Sequence, residues 1–89
     1  MTAYTDELLD ELNILLQFNL ETTQEGIKIH RSAGTSAIEA TTRLFNKGLI
    51  TQIDGGYLTD LGHIAAEHAQ ATHTILTPAH ETALKPASM

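Results

Sequence analysis

Eighty-nine residues with a formal net charge of -6 and no cysteine exclude disulfides, thiolate metal sites and a cysteine nucleophile, and they suggest one small domain. Hydrophobic residues make up 42%, enough for a core, but two Tyr and two Phe are the whole aromatic content, so Leu and Ile must fill most of it. No apolar run is long enough to span a bilayer and the start, MTAYTDELLDEL, is acidic, so a cytoplasmic protein with no membrane contact is expected.

In chain order, Thr5 is a candidate N-cap, with Asp6 and Glu7 in the first turn, where the helix dipole favours acids. Leu8, Leu9, Leu12, Leu15 and Leu16 recur at helical spacing, which predicts an amphipathic helix over 5–18 packed on the core. The paired acids Asp6/Glu7 and Asp10/Glu11 then fall on its exposed side. Thr22 with Glu25 three residues on signals a second, short helix over 23–31, although Gly26 weakens it. RSAGTS, 31–36, is a break, with Gly34 ending one helix and Thr35 or Ser36 capping the next.

That next helix, SAIEATTRLFNKG, has an inner stripe of Ala37, Ala40, Thr41 and Leu44. Its outer face carries Ser36, Glu39, Thr42, Arg43, Asn46 and Lys47, and Gly48 stops it. LITQI alternates like a strand, DGG is a tight hairpin turn, and YLT pairs back. Thr59 caps a last helix whose stripe of Leu61, Ile64, Ala65, His68, Thr72, Ile75 and Leu76 is longer than a small core requires. The spare length is read as a homodimer interface made by Leu61, Ile64, His68, Thr72, Ile75 and Leu76, the alternative being that the helix closes its own core. One domain is expected over 1–77, with a flexible tail over 78–89.

The segment RLFNKGLI, followed by a short hairpin and YLTDLGHIAAEH, resembles the bacterial winged helix-turn-helix proteins. Arg43, Leu44, Lys47, Gly48, Leu49 and Ile50 match one family motif, and Tyr57, Leu58, Thr59 and Gly62 approximate another. Over most of residues 5–76 the chain is similar to a small family of uncharacterised bacterial proteins labelled DNA-binding. The resemblance implies a mainly α fold with a small β-hairpin: a three-helix core, a two-stranded wing, a C-terminal helix, and a recognition helix over 36–47 laid in the major groove. The wing tip, Asp54-Gly55-Gly56, departs from the pattern, because it has no Lys or Arg and its Asp repels phosphate.

Charge runs -6 over residues 1–27, +3 over 28–47 and -3 over 48–89, so the bases gather around the predicted recognition helix. Double-stranded DNA is the expected partner. Thr35, Ser36 and Glu39 stand at the helix start, with Thr42, Arg43 and Asn46 further along; Arg suits guanine, Asn adenine and Glu cytosine. Lys28, Arg31 and Lys47 would clamp phosphates, with His30 added if protonated. An ordinary solvated face, with Glu39 and Arg43 paired at i, i+4, is the alternative. Four bases neutralise about three or four phosphates, a salt slope of about -3, so binding in pairs is expected.

Among His63, His68, His73 and His80 the first two steps are five residues, which rotates successive side chains well over a right angle apart around a helix, and only His63 and Glu67 share metal-pair spacing, so no metal is expected. With no phosphate-cradling glycine loop and no nucleophile arrangement, neither an enzyme nor a cofactor is expected. The expected function is a small transcriptional or nucleoid-associated DNA-binding regulator. The alternative is a winged-helix module that binds protein and not DNA.

Overall fold

The computed structural model describes residues 2–22 and 24–78. In order these form helix α1 (Asp6–Leu15), strand β1 (Ile27–Lys28), a 3-10 turn (Arg31–Ala33), helix α2 (Thr35–Asn46), strands β2 (Ile50–Gln52) and β3 (Gly55–Leu58), and helix α3 (Asp60–Leu76). The fold is mainly α, three helices with a small three-stranded antiparallel sheet in the order β1-β3-β2. The tail expected over 78–89 lies, from residue 79 on, outside the described residues.

The helix expected over 23–31 is not formed. Thr22 Oγ1 instead accepts from the Gln24 N–H at 3.0 Å, a local turn rather than a helix cap. Ile27 and Lys28 then pair with Gly56 and Gly55, and the Ile29 N–H donates to the Asp54 carbonyl at 2.8 Å. The Ile-Lys-Ile alternation has strand period, and an edge on β3 satisfies its backbone better than a short helix carrying Gly26 could. The sheet therefore has one strand more than the expected hairpin.

Two threonines and one glycine organise the joints. Thr5 Oγ1 accepts from the Leu8 N–H at 3.1 Å and opens α1. Gly48, at φ 80°, ends α2 while Gly48 and Leu49 donate back to Phe45 and Leu44, so the last carbonyls of the helix are satisfied. Thr59 Oγ1 accepts from the Gly62 N–H at 3.0 Å and donates to the Gly48 carbonyl at 2.6 Å, tying the start of α3 to the end of α2. Thr41, fully buried, returns its hydroxyl to the Ala37 carbonyl at 2.7 Å.

The core is Ile14, Leu15, Phe18, Ala40, Leu44, Ile50 and Ala66. The inner stripe expected for α2 is present, with Ala40, Thr41 and Leu44 buried. On α1 the orientation differs from expectation: Leu8 and Leu9 are exposed, and Glu11 is buried with Ile14 and Leu15. The reason is that α1 packs chiefly on α2, which rotates the leucine edge away from the centre. Gln70 closes the far end, donating Nε2 to the Leu15 and Phe18 carbonyls at 3.2 and 2.7 Å. No helix of the described residues is long and apolar enough to cross a membrane.

Candidate nucleic-acid interface

The solvent face of α2 holds Thr35, Ser36, Glu39 and Asn46 exposed, with Thr42 half-buried. The Thr42 hydroxyl donates to the Ile38 carbonyl at 3.0 Å, so it offers an outside group only its acceptor side. Four exposed polar side chains on one stretch of helix, starting from its N-terminus, form the part of the predicted set that stays together.

The bases do not. Lys28, on β1, and Arg31, on the 3-10 turn, line a groove of about 460 Å³ beside α2, whose apolar wall includes Ile38 and Ile53. His30 and Asp54 line the same groove, and Lys28 Nζ lies 3.8 Å from Asp54 Oδ2. Both partners are exposed, so that pair is weak and easily exchanged for another anion. Ile38, Ile53 and the strand that carries Lys28 were not legible as groove walls, because β1 exists only through its pairing to β3.

Arg43 and Lys47 are on the opposite flank. Arg43 lies roughly 140° around α2 from Ile38 at 100° per residue, and it points at α1. Its Nε donates to Glu11 Oε2 at 2.7 Å and its Nη2 to the Glu7 carbonyl at 3.1 Å, while Lys47 Nζ takes Glu11 Oε1. The exposed position expected for Glu11 is thus corrected: at 5% exposure it sits between the helices and accepts from two bases. The Glu39–Arg43 pair that the spacing allows is replaced by this contact, because the Arg43 guanidinium turns to α1, where Glu11 and the Glu7 carbonyl both accept from it. Burial alone pushes the Glu11 carboxyl up, but the hydrogen bonds and charges of Lys47 and Arg43 outweigh it and leave it below the usual range. The same hydrogen bond raises Arg43 further.

The residues read as a dimer interface, Leu61, Ile64, His68, Thr72, Ile75 and Leu76, are all exposed on α3. The helix does not close its own core with them; Gly62 and Ala66 do that from its other side. His63 Nδ1 and Glu67 Oε1 come within 3.8 Å. Among the described residues no group of three or more potential ligands is placed to hold a metal ion.

The chain belongs to a family of unknown function, DUF5669, whose model matches residues 2–77. No curated protein and no solved structure matches it.

Proposed function

We propose that this is a small DNA-binding regulator of the winged helix-turn-helix type, with α2 as its recognition helix. The exposed polar run Thr35, Ser36, Glu39 and Asn46 at the open side of α2 carries this reading, with Lys28 and Arg31 in the groove beside it. The order of α2, hairpin and α3 supports this reading, and the 3-10 turn Arg31–Ala33 stands in for the short helix expected before α2. The N-terminal part of α2 would read base edges while Lys28 and Arg31 hold phosphate. Arg43 and Lys47 contribute little until they leave Glu11.

The test is fluorescence anisotropy of a labelled mixed-sequence duplex at 50 mM and then higher salt. Weak binding with a salt slope of about -2 is expected, and Arg31→Ala or Lys28→Ala each reduces the slope by about 1. Asn46→Ala leaves the slope alone and narrows the difference between strong and weak sequences. Wild-type protein that shows no binding at 50 mM salt and micromolar concentration rules the proposal out.

A second reading, a winged-helix module that binds protein rather than DNA, is favoured by one observation: the carboxylate of Glu11 already occupies two of the four bases around α2. It predicts no duplex binding even when those bases are released.

A further inference from the structure

An open apolar groove of about 400 Å³ runs between α1 and the outer half of α3, walled by Leu9, Leu12 and Leu16 on one side and Ala65, Ala69 and Leu76 on the other. A ridge runs beside it on α3, made by Leu61, Ile64 and Ile75. Every residue from Ala71 to Pro78 is exposed, with Ile75 at 80% and Leu76 at 75%. Nearly two turns of helix that no described residue covers are marginal alone, since helices of this kind draw most of their stability from packing.

Charge and shape select the occupant. Among the described residues, those lining the groove include no Asp, Glu, Lys or Arg. Two copies that each carry -6 repel wherever carboxylates meet, so a face without them is where they can approach. Its described lining holds His68 and His73 but no Lys or Arg, so it offers nucleic acid or an anionic bilayer no permanent positive charge to hold. Ridge and groove lie side by side on one surface, so a two-fold axis seats each copy's ridge in the other's groove. The geometry points to a homodimer in which α1 and α3 of each copy form a four-helix contact. The contribution of α1 is new relative to the α3 stripe, and it turns a single helix edge into a receptor for its counterpart. This inference does not rest on DNA binding.

Size sets the strength. Leu61 to Leu76 spans about 22 Å at 1.5 Å per residue, and α1 lies about 10 Å to its side. Such a face covers about 400–500 Å² per copy, below the roughly 800 Å² per partner of a standard stable complex. A reversible dimer with a dissociation constant of about 10–100 µM is expected.

Sedimentation equilibrium of the full chain from 5 to 200 µM reads this directly. Wild type should pass from monomer to dimer across the range. Ile75→Glu on α3 and Leu9→Glu on α1, the latter 45% exposed, should each weaken association at least tenfold while far-UV circular dichroism and thermal midpoint stay within error of wild type. Wild type that remains monomeric at 200 µM overturns the inference. So does a dimer that neither variant weakens, because the contact would then lie elsewhere.

Discussion

Gly62→Ala should destabilise the domain by about 3 kcal/mol or more, although Ala is the better helix former. Gly62 lies in the first turn of α3, where propensity alone gives Ala an advantage of about 1 kcal/mol. A Cβ built there, however, would sit 1.8 Å from the Leu49 carbonyl oxygen and 2.8 Å from its carbon. Those are backbone atoms, and the same carbonyl accepts from the Thr59 N–H at 3.1 Å, so it cannot swing aside without breaking the joint between β2 and α3. Relief requires moving the start of α3 off the core, where Ala66 is fully buried. Overpacking a tight contact costs about 1–3 kcal/mol even when side chains can yield, and here only backbone can. Against the roughly 4–13 kcal/mol total of a domain this size, the loss is severe. The thermal midpoint should fall by more than about 12 °C. A midpoint that rises would show that α3 does not approach Leu49 as closely as described.

Glu11→Ala should cost about 2–3 kcal/mol, measured by urea unfolding at pH 7. It removes a buried carboxylate that accepts from both Arg43 and Lys47. The cost is below that of a fully buried ion pair because both bases reach solvent, with side chains 28% and 47% exposed. The pH dependence has a definite sign. The folded protein holds Glu11 below the usual carboxylate range, so as pH falls the unfolded chain takes up the proton first. The stabilisation is complete above that range and disappears as pH drops through the lowered folded value. Glu11→Gln should flatten this part of the acid-unfolding profile; a profile with unchanged slope would mean that the contact contributes nothing.

The same substitution separates the two functional readings. Glu11→Gln frees two bases beside α2 and removes one negative charge. As a DNA-binding protein, the variant should bind duplex several-fold more tightly than wild type at 50 mM salt, with a steeper salt dependence. As a protein-binding module it should show no duplex binding at all. Glu11 therefore weighs twice, once in the stability of the α1–α2 contact and once in the charge that α2 presents.

What the chain disclosed by itself was local. Thr5, Gly48, Thr59 and the Asp54-Gly55-Gly56 turn are where caps and positive-φ positions must be, because their chemistry acts within four or five residues. The inner stripe of α2 was equally legible, since small and apolar residues at helical spacing have one physical use. The exposure of Ile75 and Leu76 followed from counting: α3 is longer than its core. Tertiary structure decided everything that depends on a distant partner. Ile27 and Lys28 form a strand only because Gly55 and Gly56 offer an open edge near in space and far in sequence. Glu11 had the pattern of a surface acid and became a buried acceptor because Arg43 and Lys47 arrive from 32 and 36 residues away. That last contact divides the positive segment into two flanks of α2. A run of charge in the sequence gives its sum, whereas the field at a surface depends on which of those charges the fold has already paired.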